Sequence, residues 1–406
     1  MKTDLLKKLG RINTVPAGWK LTTVGKVCKI RNDLRKPLST EERAKIQGSY
    51  PYYGPTGVLD FIDHHLVEGQ FALIGEDGDH FLKPEQKAQT LLVNGKFNVN
   101  NHAHLIQGTE KCSSEWFFLY FHHRDITHLI SRQGASRYKL NKDTLSKLPI
   151  LVPPLNEQLE IYKLFTTWDN AIEKTEALIA AKEKQFEWLT SNLINRAGYK
   201  RTAASGLMTE VSKRNKNSTI ERVLSVTNHS GFVLPEEQFE RRVASANVSN
   251  YKVVEQGQYA YNPSRINVGS IARLDDWENG ILSPMYVVFK LDTKKVCSDY
   301  FLHWLNSSEA RQRIKNSAQG SVRETVSFKD LGAIDIPLPA MDVQKDVTYK
   351  LNLAQKEISL LKKTLEQYRS QKRGLMQKLL TGEWQVGSSQ YLSEETCQEL
   401  SKESVA

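Results

Sequence analysis

Between residues 341 and 384 the side chains fall into a helical rhythm. Val347, Leu351, Ala354, Ile358, Leu361, Leu365, Tyr368, Lys372, Leu375 and Leu379 follow one another at alternating steps of four and three, the a/d seam of a coiled coil. The same phase runs through Ile161, Phe165, Trp168, Ile172, Thr175, Ile179, Lys182, Phe186, Leu189 and Leu193. Each run begins just after prolines that end a strand-like segment, Pro153 and Pro154 in PILVPP and Pro337 and Pro339 in IDIPLP. Proline has no backbone N–H to donate, so a strand stops there and a helix can start beyond it. Such a narrow apolar stripe must be covered by a partner helix, and the partner of matching length and phase is the other run. About 40 residues at 1.5 Å each give roughly 60 Å. Parallel pairing would put the two preceding domains at one end. Antiparallel pairing would put one at each end about a pseudo-two-fold axis, and symmetry favours it, although the polar linker RAGYKRTAASG allows both.

The shared phase belongs to a longer duplication. Residues 132–194 align with 318–380 without a gap at a constant offset of 186, a long internal repeat. Gln133 matches Gln319, Arg137 matches Arg323, Leu145 matches Leu331, Ile150 matches Ile336, Pro153 matches Pro339 and Gln158 matches Gln344. Upstream the likeness weakens, but EGQFALI still resembles QGQYAYN and EWFFLYF resembles DYFLHWL. Strand-like stretches mix with one helical segment in each copy, which predicts an α+β class: two mixed α/β domains separated by two long helices. The expected division is 1–154 and 198–340 for the domains, 155–197 and 341–384 for the helices, and 385–406 for a polar tail.

Charge narrows the class of partner. The chain has 406 residues, with 56 basic against 46 acidic and a formal charge of +10, a balance suited to a polyanion. No apolar run approaches the roughly 18 residues of a membrane span, and the first residues lack a signal-peptide core, so a cytoplasmic protein is expected. Cys28, Cys112, Cys297 and Cys397 form no CxxC pair, which points to reduced thiols rather than a zinc knuckle or disulfide framework.

Catalytic motifs are weak. Asn262-Pro263-Ser264-Arg265 lacks the aromatic that a methyltransferase motif needs, and Asp77, Asp79, Glu85 and Lys87 imitate a nuclease cluster that the second copy does not repeat. The histidine doublets, His64 with His65 and His122 with His123, lack the HxxxH spacing of a helical zinc site. No catalytic residue and no metal ligand is expected.

Residues suited to DNA are easier to find. Both copies close on a Gly-containing basic turn. In the first it carries Arg132, Gln133, Arg137 and Lys139, and in the second Gln319 and Arg323. Glycine lets the backbone approach closely there, and arginine can pair with phosphate or guanine edges. The first copy adds Lys29, Arg31, Arg35 and Lys36 in KIRNDLRKP, then Tyr52, Tyr53 and Gly54 in YPYYGPTG, a segment that reads first as a packed turn. The second adds Arg241, Arg242, Asn262, Ser264 and Arg265.

The order of parts resembles the specificity subunits of Type I restriction-modification systems. It runs variable domain, proline-ended strand with a following glutamine, long helix, then the same again. VPAGWKLTTVGKVCKI, YYGPTG, LIGEDGDH, YNPSRINVGSI and RGLMQKLLTGEW carry the resemblance to about Val386. It implies that each variable domain is a target recognition domain reading one half of a bipartite sequence in double-stranded DNA, while the helices set the spacing and dock two modification subunits. It also implies that S-adenosylmethionine belongs to those adenine methyltransferase subunits, that ATP and Mg belong to two restriction subunits, and that this chain holds no cofactor. The competing expectation is a coiled-coil scaffold or a degenerate specificity protein without target recognition.

Overall fold

The computed structural model describes residues 14–84, 87–133, 137–196, 198–235, 248–317 and 325–386. Both heptad runs are uninterrupted helices, Leu155–Ile194 and Met341–Leu379. The chain divides into two units, one holding the described residues up to Lys174 with those from Leu365 onward, the other Thr175–Thr364. In the first unit the start of the first helix packs on the end of the second. Ile161 and Phe165 share a buried core with Leu379, the Trp168 and Tyr368 rings meet edge-on at 5.7 Å, and Asp169 pairs with Lys372. In the second unit the end of the first helix packs on the start of the second. Ile194 shares a core with Val347 and Leu351, Lys182 reaches Glu357 at 2.8 Å and Lys362 reaches Glu183 at 2.6 Å. Start meets end in both, so the coiled coil is antiparallel. The two lysines on the predicted seam, Lys182 and Lys372, are answered by these carboxylates instead of by apolar packing.

Each unit is built on an antiparallel sheet of the same order. In the first the strands run Lys29–Ile30, Ala103–Gln107, Phe71–Gly75, Thr90–Val93; in the second, Met208–Glu210, Val287–Leu291, Tyr259–Tyr261, Ile271–Arg273. The strands Phe71–Gly75 and Tyr259–Tyr261 come from the weakly similar EGQFALI and QGQYAYN, and both are fully buried. Side chains alternate along a strand, so Ala72 and Ile74 face one core while Phe71 and Leu73 face another. Tyr259 and Tyr261 divide from Ala260 in the same way. One face of each sheet is covered by the helix predicted there, Ser114–Phe121 or Ser298–Leu305. The glycine before each strand, Gly69 at φ 118° and Gly257 at φ 80°, takes a conformation that L side chains resist.

A two-stranded ribbon closes each unit, Lys20–Thr23 with Pro149–Val152 and Arg201–Ala203 with Asp335–Pro337. The predicted linker RAGYKRTAASG is therefore not all linker, because Arg201–Ala203 is the opening strand of the second unit. Its register sets Thr202 against Ile336 as Thr22 is set against Ile150.

The repeated glutamine has a structural role in both copies. Gln158 accepts from the Ser113 N–H at 2.9 Å and donates to the carbonyls of Lys111 and Pro153, each at 2.9 Å. Gln344 accepts from the Cys297 N–H at 2.8 Å and donates to Pro339 at 2.9 Å and Lys295 at 3.4 Å. Both are buried. Each clamps the first turn of a long helix to the chain leading into the covering helix.

Candidate nucleic-acid interface

In each unit the loop leaving the central strand is pinned to the basic turn of the repeat. Leu140 donates its N–H to the Glu76 carbonyl at 2.7 Å, and Val326 donates to the Pro263 carbonyl at 3.0 Å. Leu140 and Val326 are equivalent at the constant offset of the repeat. The same backbone bond therefore ties a loop of divergent sequence to a segment of repeated sequence in both copies. In the first unit the attachment extends into a small sheet, in which Ser131–Gln133 pairs with Arg137–Lys139 and the latter with Asp77–Gly78.

The loop after the first central strand is braced from beneath. Arg35 donates to Glu76 at 2.8 Å and to the carbonyls of Asn101 and Ala103 at 2.9 and 3.2 Å. His104 is buried, which pushes its pKa down and keeps the ring neutral. Its Nε2 lies 2.6 Å from the Leu140 carbonyl and must donate, leaving Nδ1 to accept from the Asn32 amide at 2.8 Å. The buried His80 ring lies against Gly75 and Gly78, where an added Cβ would stand 2.4 and 2.6 Å from the imidazole. The glycines of LIGEDGDH thus make room for its histidine. Above this floor Asp77 faces His102 at 3.1 Å, and Asp79 pairs with Lys87 at 2.5 Å. Glu85 lies outside the described residues, and among the described residues no group of three or more His, Cys, Asp or Glu is placed to hold a metal.

In the second unit Asn262 accepts the Ser264 N–H at 3.0 Å, forming a local turn. The Arg265 carbonyl receives the N–H groups of Val268 and Ser270 at 3.2 and 3.1 Å. The loop is held by its backbone, so the exposed side chains of Ser264 and Arg265 are left toward solvent.

The residues singled out from sequence separate into three groups. Lys29, Lys36, Arg132, Ser264 and Arg265 are exposed, and Lys139, Asn262 and Tyr53 are half-buried. Arg31 is held by Asp33 at 3.0 Å and by Gln107 at 3.1 Å, and the hydrogen bond to Asp33 raises its pKa. Arg35, Tyr52 and Gly54 are built into the fold. The Tyr52 hydroxyl donates to the Lys36 carbonyl at 2.8 Å and accepts from Leu38 at 2.9 Å, and a Cβ on Gly54 would meet Leu59 at 2.7 Å. The expectation of a packed turn holds only for Gly54–Gly57, because Tyr50–Tyr53 end the strand Gln47–Tyr53, which pairs with Val58–Ile62 and Lys96–Val99. The side chains of Gln133 and Arg137, together with Arg241, Arg242, Gln319 and Arg323, lie outside the described residues.

Sequence reasoning assigned no role to His80, His104 or the two clamping glutamines. For the glutamines the constant offset held the signal, and for His80 the glycines of LIGEDGDH did; His104 carries no such local mark.

A family profile described as the Type I restriction modification DNA specificity domain matches residues 16–182. A Haemophilus influenzae chain assigned as a type I restriction enzyme specificity subunit is 33% identical over 185 residues, 44% of this chain and 46% of that one, so this chain spans about half of that relative's length. The MjaVIII specificity subunit of Methanocaldococcus jannaschii is 21% identical over 92% of this chain and 94% of its own. The crystal structure of a Type-I restriction-modification S subunit from M. genitalium superposes with a TM-score of 0.57, covering 92% of this chain and 98% of that one at 15% identity; it shares the fold. The profile match over the first unit, the relative matched over 92% of this chain and the shared fold, on a duplicated frame with an antiparallel helix pair, make this chain similar to Type I restriction-modification specificity subunits.

Proposed function

We propose that this protein is the DNA-reading subunit of a Type I restriction-modification complex, each unit recognising one half of a bipartite target. The observation that carries the reading is the equivalent backbone bond of Leu140 and Val326. It holds loops of unlike chemistry in a common frame, Asp77 and Asp79 in one, Ser264 and Arg265 in the other. A shared frame with different side chains is what reading two different half-sites requires, since base edges are distinguished by donor and acceptor pattern.

The chain itself is non-catalytic in this proposal. Adenine methylation falls to two modification subunits that bind S-adenosylmethionine, and cleavage to two restriction subunits that use ATP and Mg. The long helices dock the modification subunits and set the gap between half-sites. Docking is supported by large apolar side chains outside the seam: Trp188 is 63% exposed, Tyr349 69%, Leu353 58% and Leu360 54%, a cost in water that a partner would remove. No described helix is long and apolar enough to cross a membrane, and a complex acting on the chromosome belongs in the cytoplasm.

The test is to co-express the chain with its modification subunit and map adenine methylation across the host genome by single-molecule sequencing. A bipartite motif with a fixed gap, lost when this chain is deleted, is the expected result. A stable complex supplied with S-adenosylmethionine that methylates no motif would overturn it.

A further inference from the structure

The second unit contains a cavity of about 410 Å³ beside the loop that carries Ser264 and Arg265, within the range of small-ligand sites. One wall is the turn between strands Ser225–Thr227 and Gly231–Val233, another the segment Ile266–Arg273, and the third the helices Ser298–Leu305 and Ser308–Ser317. The floor is apolar, formed by Ile266, Leu305 and Ile314, each 4% exposed or less. Around the mouth stand Asn228, His229, Asn306 and Arg311, all exposed.

Arg273, also on the wall, is consumed by Asp275 at 2.6 Å and Asp299 at 2.5 Å. The guanidinium of Arg311 has no hydrogen bond or ion pair among the described residues, and the side chains of Asn228, His229 and Asn306 likewise bond to none of them. A free guanidinium selects phosphate or carboxylate. Amides and an imidazole supply both donors and acceptors to the edge of a planar ring, and an aliphatic floor accepts the ring's face. Glycines at 231 and 269, with φ of 63° and 96°, leave the wall open where side chains would fill it.

We infer that this cavity binds a single nucleotide, its base against the apolar floor and its phosphate on Arg311. The nucleotide comes either from solution or from the bound duplex, as a base drawn out of the stack. The second source rests on the proposed DNA-reading function. Extrusion costs a few kcal/mol, least at weakly stacked steps, and would let the second unit read an edge that is hidden in the groove.

The full-length protein, with its modification subunit, is titrated by calorimetry with each of the four deoxynucleoside 5′-monophosphates. In parallel, duplexes carrying the mapped target with 2-aminopurine at successive positions of one half-site are followed by fluorescence, which rises on unstacking. Saturable binding of a free monophosphate identifies a solution nucleotide; a fluorescence rise at a position other than the methylated adenine, which the modification subunit itself would flip, identifies a base extruded into this cavity. Either signal should fall at least roughly ten-fold in Arg311→Ala, and in Asn306→Trp, which closes the mouth. Both substitutions are at exposed positions, so thermal denaturation should be unchanged. Absence of both signals, or a signal that both variants leave intact, overturns the inference. If specific duplex binding persists while the cavity is silent, only this inference fails; if the wild-type complex binds no specific duplex, the DNA-reading proposal itself fails.

Discussion

Replacing Gln158 by leucine removes a clamp whose cost can be worked from its bonds. The side chain makes three hydrogen bonds at 2.9 Å, one from Ser113 and two to Lys111 and Pro153, in a site with 0% exposure. A neutral hydrogen bond contributes about 1 kcal/mol net, and a buried backbone group left unpaired costs about 1–3 kcal/mol. Water can re-solvate some of the three groups, so the substitution should cost about 3–5 kcal/mol locally. Gln344→Leu should cost less, because one of its bonds is already stretched to 3.4 Å. Two units need not unfold together, so a global melting temperature is the wrong readout. Hydrogen exchange by mass spectrometry resolves the segments, and a loss of about 3 kcal/mol of opening free energy accelerates exchange about a hundred-fold. Peptides spanning 109–121 should lose protection in Gln158→Leu while those spanning 293–305 keep it, and Gln344→Leu should do the reverse. Less than about a three-fold change near Ser113 would refute the assignment of the repeated glutamine as a clamp.

Other consequences follow from the repeat. A Cβ on Gly25 would stand 3.0 Å from the Ser146 Cβ, while in the second unit Ser205 stands where Gly25 does and faces Gly332, where an added Cβ would lie 3.1 Å from the Ser205 Cβ. Gly25→Ser should therefore destabilise the first unit by about 1–3 kcal/mol through overpacking, and adding Ser146→Gly should recover most of it in a denaturation double-mutant cycle. Arg265→Ala should weaken binding to one half-site by about 1–3 kcal/mol and leave the other intact, measured with duplexes scrambled in either half. One heptad inserted into both long helices adds about 10 Å, so the gap in the methylated motif should lengthen by about three base pairs; an unchanged gap would overturn the proposal that the helices set it. Burial, with the neighbouring charges of His123 and Lys372, depresses His122 to about 3. A histidine neutral in the fold but protonated when unfolded stabilises above its unfolded pKa of roughly 6.5 and loses that contribution as pH falls toward its folded value. The wild type should therefore lose more stability between pH 7.5 and 5 than His122→Asn does. Equal losses would show that His122 is solvated.

How much was legible before any coordinates depended on whether the signal was local. The heptad phase, the prolines that end each strand and the constant offset are one-dimensional facts. They predicted two helices of about 40 residues, the covering helices and two α+β domains, because periodicity and backbone chemistry act within a few residues. Antiparallel pairing was favoured by symmetry but decided by contacts such as Trp168 with Tyr368 and Ile194 with Val347, which join residues far apart in the chain. The candidate interface divided in the same way. Residue type marked Lys36, Arg132 and Arg265 as able to meet DNA, but type cannot tell an arginine at the surface from one spent within the fold. Arg35 is committed to Glu76 and two carbonyls, and the Tyr52 hydroxyl to the backbone of Lys36 and Leu38. The sequence by itself determined the duplicated frame, since repeats and helical phase are written along the chain. Only the tertiary structure decided which polar groups remain uncommitted, because a hydrogen bond is used up by whichever partner folding brings within about 3 Å.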